Sequence, residues 1–170
     1  RNDYESGNPK PEKMNDFELG WRYNAGKTRL NINGYYMQYQ DQLVLTGELN
    51  DVGAPIRENS GDSYRLGLEI DAALYLSEKW ILQPNLTVSA NKNKNFVFQR
   101  DGVLQELGDT NIAFSPNVIF GNAVTFLPIK NLQLSLLSKF VGEQFMGNID
   151  SDGSKLDSYV VNDLSITYEI

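Results

Sequence analysis

From Asp62 to Asn91 the chain reads DSYRLGLEIDAALYLSEKWILQPNLTVSAN. Tyr64, Leu66, Leu68, Ile70, Ala72, Leu74 and Leu76 take every second position, interleaved with Ser63, Arg65, Gly67, Glu69, Asp71, Ala73 and Tyr75. A period of two is the side-chain period of a strand, so one face is apolar and the other largely polar. The run extends well past the roughly 5–6 residues of an ordinary strand. Ser77, Glu78 and Lys79 predict a tight turn. Trp80, Leu82, Leu86 and Val88 then resume the alternation against Gln83, Asn85, Thr87 and Ser89. The pattern predicts a long antiparallel hairpin with one apolar face. A second sheet covers such a face in a soluble sandwich; in an outer-membrane barrel lipid covers it and the polar face lines a wet lumen.

The same pattern recurs along the chain. Residues 1–13 are polar with two prolines and read as loop. Met14–Asn24 predicts a first strand, with Phe17, Leu19, Trp21 and Tyr23 on one face. Thr28–Gln42 predicts a second, with Tyr35, Tyr36, Met37 and Tyr39 blurring its alternation. A long irregular segment, 43–61, leads to the Asp62–Asn91 hairpin. A polar segment from Lys92 to Asp109 follows, whose centre, FVFQRDGVLQEL, forms a candidate hairpin across Asp101-Gly102. Thr110–Phe126 predicts a fifth strand with Phe114, Val118, Phe120, Val124 and Phe126 on one face. After the turn LPIKN comes a sixth, with Leu132, Leu134, Leu136 and Phe140 outward and Gln133, Ser135, Lys139 and Glu143 opposite. A third long segment, 146–157, precedes a last strand from Ser158, with Val160, Leu164, Ile166 and Tyr168 set against Asn162, Asp163, Ser165 and Thr167.

Odd-numbered strands begin near Met14, Asp62, Thr110 and Ser158, about every 48 residues. Short turns and long loops alternate strictly, which is how outer-membrane barrels are connected. Trp21, Tyr23, Trp80 and Phe126 sit beside the short turns, where a membrane-interface girdle belongs; ordinary sheet-core aromatics are the plainer alternative. The balance favours a barrel over a sandwich. Pro84 and Pro116 fall inside expected strands and imply a bulge or a locally broken pair. Seven strands leave two unpaired edges, which lipid does not tolerate, so the expected object is part of a larger barrel. The start at Arg1 and the stop at Ile170 inside a strand agree with that expectation.

Composition removes several chemistries. The 170 residues contain neither Cys nor His, so disulfides, thiolate metal sites, His-ligated zinc and Ser-His-Asp catalysis are excluded within this stretch. The net charge of −7 and the absence of a basic cluster argue against nucleic acid as a partner. The mean hydropathy of −0.41 and the lack of a long apolar run exclude a transmembrane helix; they do not bear on a barrel, in which only alternate residues meet lipid.

PKPEKMNDFELGWRYN (Pro9–Asn24) resembles the KPE…ELG strand of TonB-dependent outer-membrane receptors. Leu30–Ala72 and Ser115–Asn148 resemble later barrel strands of such receptors, of the kind common in Bacteroidetes. The resemblance covers essentially the whole chain and lies in the order of strands, turns and loops. It implies an all-β fold, up-and-down antiparallel strands forming part of a barrel of about 22 strands, here resembling strands 14 to 20. It implies a plug domain in the lumen and outer-membrane lipid around the wall. It also implies TonB-driven uptake of an iron–siderophore complex, haem, cobalamin or a glycan. The plug, the TonB box and the final strands have no counterpart in these residues, so no TonB contact is carried over. The resemblance implies neither an enzyme nor a cofactor.

Candidate binding residues lie in the three long segments: Arg57, Glu58 and Asn59; Arg100 and Asp101; Asn148, Asp150 and Asp152. Asp150-Ser-Asp152-Gly153 resembles part of a calcium loop, but it lacks the further carboxylates such a loop needs, and an Asp-Gly turn explains it more simply. Arg22, Arg65, Glu69 and Asp71 are expected to project into the lumen, to touch a plug or to compensate one another. Glu69 and Asp71 alone make a weak case for glycoside hydrolysis. Arginine is expected to be tolerated at inward-facing Ser135 and not at outward Leu68 or Leu134. A soluble all-β binding module, sandwich or lipocalin-like, is the alternative; a β-rich hydrolase is the weakest reading.

Overall fold

The computed structural model describes residues 10–49, 51–59, 61–100 and 103–169. In chain order the strands are β1 (Lys13–Ala25), β2 (Thr28–Gln40), β3 (Leu43–Leu49), β4 (Pro55–Asn59), β5 (Ser63–Tyr75), β6 (Trp80–Arg100), β7 (Val103–Asn111), β8 (Val118–Phe126), β9 (Leu132–Val141), β10 (Gln144–Phe145), β11 (Lys155–Leu156) and β12 (Tyr159–Tyr168). One antiparallel sheet runs β1-β2-β5-β6-β8-β9-β12, and β7 pairs with the far half of β6. The turns after β1, β5 and β8 share one end. Gly26, at a φ of 53°, makes the first of them, a conformation glycine adopts without a Cβ clash. Bonds from Tyr75 N to Lys27 O, Leu127 N to Lys79 O and Glu169 N to Asn131 O stitch this rim together.

The register aligns the alternation of every strand. Leu19 faces Gly34, which faces Leu68, then Val88 and Val118; Tyr36 faces Leu66; Leu86 faces Phe120, Phe140 and then Val160. All the apolar sets therefore share one face. No second sheet covers it: the only other pairings among the described residues are the short β3–β4 and β10–β11 ribbons. Leu66 and Leu68, on an interior strand, remain 50% and 43% exposed, and Leu164 71%. Ten such side chains, each about half exposed, forfeit on the order of 7–15 kcal/mol in water, as much as the roughly 5–15 kcal/mol that holds a soluble domain together. The opposite face is more crowded, with Ala73, Asn91, Ser135 and Val141 buried among exposed polar positions such as Glu69, Asp71 and Asn85. Tyr35 lies over Gly67 and Asn85 over Gly121, where a Cβ would collide with them. The sheet is thus convex and apolar on one side, concave and crowded on the other. This arrangement excludes the sandwich and the closed greasy core.

Three expectations change. The fifth strand does not run from Thr110: β7 ends at Asn111 and β8 starts at Val118, with 112–117 irregular between them. Phe114 is removed from the strand face and holds a φ of 52°. Pro116 consequently lies outside any strand. Pro84 does sit in β6, and its effect is a local gap: the β5–β6 ladder is interrupted between Asp71/Asn85 and Leu74/Leu82 and resumes in the same register. The β8 side runs through Pro84 unbroken. The third change is that the long segments are ordered. β3–β4 and β6–β7 are hairpins that extend past the wall, and the register from Arg100↔Val103 downward matches the expected hairpin, whose Asp101-Gly102 tip lies outside the described residues.

Candidate functional site

The inward face is built from rows that cross the strands. Arg22, Asn31, Asp71 and Asn85 form one row; Gly20, Asn33, Glu69 and Thr87 form the next. Asn31 Nδ2 donates to Asp71 Oδ2 at 2.8 Å, and Asn33 Nδ2 reaches Glu18 Oε2 at 3.5 Å. Arg65 does not pair with Glu69 or Asp71. Its Nη1 donates to Ser115 Oγ at 3.0 Å and to Asn91 Oδ1 at 3.4 Å. Ser115 Oγ in turn donates to Ala113 O, and Ser89 Oγ to Pro116 O. Arg65 is therefore a clasp on the 112–117 segment. All four expected lumen residues share the concave face; Arg65 and Asp71 bind amides and a hydroxyl there rather than each other.

At the loop end, segments distant in sequence are bound by side chains. Asn148, 9% exposed, accepts from Ala113 N at 2.8 Å and from Asn93 Nδ2 at 3.4 Å. Asn93 is fully buried, and its Oδ1 has no partner among the described residues. Asp150, at a φ of 49°, accepts from Asn111 N at 2.9 and 3.1 Å and from Asn111 Nδ2 at 2.9 Å. Phe114 N donates to Phe145 O. The second and third long segments thus form one polar-cored unit above the wall. Near the first segment, Asn59 Nδ2 donates to Asp41 O at 2.6 Å and Lys10 O at 3.0 Å, while its Oδ1 accepts from Lys10 N. Asp152 is exposed in a 3-10 turn, Asp152–Ser154. Among the described residues no three carboxylates gather to hold a metal ion. The backbones of Arg57 and Glu58 pair with Leu45 and Val44; their side chains and that of Arg100 lie outside what the structure describes, as does Asp101.

Two exposed ion pairs brace the loops. Lys94 Nζ lies 2.5 Å from Asp109 Oδ2 and 5.2 Å from the centre of the Tyr64 ring. That bond raises the Lys94 ammonium above its ordinary value, and together with the Asn95 N–H it lowers the Asp109 carboxyl. Glu143, 2.7 Å from Lys155, likewise raises the Lys155 ammonium.

The residue that the hydrophobic pattern misplaced is Phe114. It is 62% exposed in a left-handed conformation that costs a bulky side chain about 1–2 kcal/mol. Pro116 two residues on is the only local signal of a break.

Aromatics mark the opposite, short-turn rim. Trp80 stacks on Phe126 at 4.3 Å and Trp21 on Tyr23 at 5.9 Å, all on the outward face. An apolar convex band ending in stacked rings is the outside of an outer-membrane barrel. The family model for TonB dependent receptor-like β-barrels matches residues 1–170. The chain belongs to this family. It is an outer-membrane protein of the Gram-negative type, and its seven wall strands form part of a larger barrel.

Solved structures agree on the fold. The ferric yersiniabactin uptake receptor FyuA from Yersinia pestis matches with a TM-score of 0.69 and 20% identity, over 92% of this chain and 22% of that one. The copper transporter OprC matches with a TM-score of 0.71 and 22% identity, over 95% of this chain and 24% of that one. The ferric-catecholate import receptor Fiu from E. coli K12 matches at 0.65 and 19%, over 95% and 22%. The chain thus spans about a quarter of the length of each. A search of curated proteins returns no match.

Proposed function

We propose that these residues are the wall and outer loops of a TonB-dependent receptor that takes up a scarce nutrient across the outer membrane. The observation that carries the reading is the single curved sheet: lipid-ready outside, polar and crowded inside, with every long loop at one end and braced there. In this reading the 170 residues are one portion of a barrel domain, a plug of the same full-length protein sits against the concave face, and TonB acts through a region outside this chain. The solved relatives named above take up iron chelates or copper, which supports a small metal complex as cargo; haem, cobalamin and a glycan remain within the class.

The loop residues divide by role. Asn59, Asn148 and Asp150 hold the loops in place. Asp152 and Phe114, exposed, together with Arg57, Glu58, Arg100 and Asp101 of the long segments, are the proposed contacts to cargo. Arg22, Glu69 and Asp71 are proposed to meet the plug, with Arg65 setting the 112–117 segment above it. The reading is of transport, not catalysis.

The test uses the full-length receptor in its own cells. Deleting its gene is expected to abolish uptake of one labelled substrate from a panel of ferric siderophores, copper, haem, cobalamin and oligosaccharides. A protonophore is expected to stop the same uptake in the parent strain. Uptake of the whole panel unchanged by deletion would overturn the reading.

A further inference from the structure

Toward the loop end of β1 and β2 the concave face changes character. Its residues there are Glu18, Asp16 and Met14 on β1 and Tyr35, Met37 and Tyr39 on β2. Asp16 faces Met37, and Met14 faces Tyr39. Tyr39 Oη donates to Met37 Sδ at 3.7 Å, so the same phenol touches one methionine and stands opposite the other. The two methionines are diagonal neighbours, about 7–8 Å apart at the backbone, a gap that long side chains bridge. Methionine is unbranched with three rotatable bonds, so both sulfurs reach a common point between the strands.

Burial does not account for the pair. Met14 is 51% exposed on the hydrated face. Asp16 beside it is exposed and makes no hydrogen bond or ion pair among the described residues. The chain has no Cys and no His, so its three methionines are its only soft donors, and two of them meet here. Thioether sulfur selects soft ions such as copper(I), whereas calcium and magnesium take oxygen. The charges around the corner suit a cation. Arg65 faces Met37 from β5, but its guanidinium is turned toward β6, onto Asn91 and Ser115. Glu18, next along β1, takes the Asn33 carboxamide and leaves Asp16 as the free carboxylate.

We propose that Met14 and Met37 hold a soft monovalent metal ion, copper(I) or silver(I), on the lumen wall at the foot of the first long segment. The two sulfurs are its donors, and the Asp16 carboxylate balances its charge. The Tyr39 hydroxyl anchors the Met37 sulfur. Leucine at either position fills nearly the same space and binds nothing, so the site depends on sulfur rather than on shape. The inference goes beyond the uptake reading: it requires the concave face to be the lumen and leaves the cargo open.

The test is methionine footprinting of the full-length receptor in isolated outer membranes, in chloride-free buffer. Hydrogen peroxide converts each accessible thioether to its sulfoxide, which peptide mass spectrometry counts residue by residue. Silver nitrate is expected to slow oxidation of Met14 and Met37 together, about tenfold at ten times its half-saturating concentration. Met146, exposed in the third long segment, is expected to oxidise at an unchanged rate. Met37→Leu is expected to remove protection from Met14, and Met14→Leu from Met37, while the compact unheated gel band persists. Asp16→Asn is expected to raise the half-saturating concentration severalfold. Four results would overturn the proposal: no protection of either methionine, separate midpoints at the two in the parent receptor, equal protection of Met146, or protection of Met14 that survives Met37→Leu. Binding is read without uptake, so each of these leaves the transport reading standing.

Discussion

The wall and the loops hold together by different means. The wall is one backbone ladder from β1 to β12, broken only locally beside Pro84, with side chains sorted by a period of two and few of them fully buried. Its outward residues do not need specific partners, because lipid is an unspecific one. The loops have short ladders, and side chains join segments 35 to 55 residues apart in the chain. Here identity matters: Asn148 is an acceptor for one backbone amide and one carboxamide, and nothing else in the third segment could replace it without moving. A wall tolerates exchange within a chemical class; a polar-cored loop unit tolerates little exchange at its few anchors.

The largest effect expected is on the wall. Leu68→Arg or Leu134→Arg should block assembly, since arginine against lipid costs about 2–4 kcal/mol at depth. The inward control is Glu69→Arg, on an exposed position of the concave face, and it should assemble. Ser135 is a poor control despite its inward direction: it is 8% exposed and bonds Thr125 and Gln133, so arginine there meets a crowded wall. The compact, heat-sensitive gel band in outer-membrane fractions reads all three; equal assembly of Leu68→Arg and Glu69→Arg would erase the distinction between the two faces.

Asn148→Ala comes next. Ala113 N loses its acceptor, while Asn93 Nδ2 keeps Thr110 Oγ1 and Asn111 O; a buried amide left unpaired costs about 1–3 kcal/mol. Amide exchange should quicken in 111–117 and 144–156 while β5 and β9 stay protected. Slowed or unchanged exchange in the loops, with loss in the wall, would mean that the two regions are one cooperative unit. Arg65→Ala should act in the same direction on 112–117 with a smaller effect, about 1 kcal/mol, because its guanidinium is only half-buried and binds neutral groups. Quenching of a fluorophore placed at Phe114→Cys would report that release.

The smallest effect belongs to pH. A lysine raised by its carboxylate contributes stability that is complete below its ordinary pKa of 10.5 and is lost as pH rises through the raised value. A lowered carboxyl contributes above its ordinary 3.8 and is lost as pH falls through the lowered value. The Lys94–Asp109 and Lys155–Glu143 braces should therefore be constant through neutral pH, and loop exchange corrected for intrinsic rate should be flat from about pH 5 to 9. A step near neutrality would point to a group outside these pairs.

The strands, their order, the short-turn rim and the side on which each long run points were all legible in the alternation, because a period of two assigns a face residue by residue. The break at 112–117 was not. Phe114 fits the apolar period, and only a long-range clasp from Arg65 and a bond to Phe145 explain why it leaves the strand. The loop anchors were equally hidden. Asn148 and Asp150 read as exposed polar loop residues, and no local signal says that Asn93 and Asn111 wait on another loop.

By itself the sequence determined the class of solvent for each face: apolar every second residue means lipid or core, and the long strands with alternating turns favour lipid. Tertiary structure decided which residues become neighbours. Register brought Met14, Asp16 and Met37 to one corner and exposed the apolar face to an empty side, and loop closure brought Asn148 to Ala113. Faces follow from local geometry that repeats along one strand. Rows and loop contacts depend on pairing between strands, where a slip of one residue would exchange every partner.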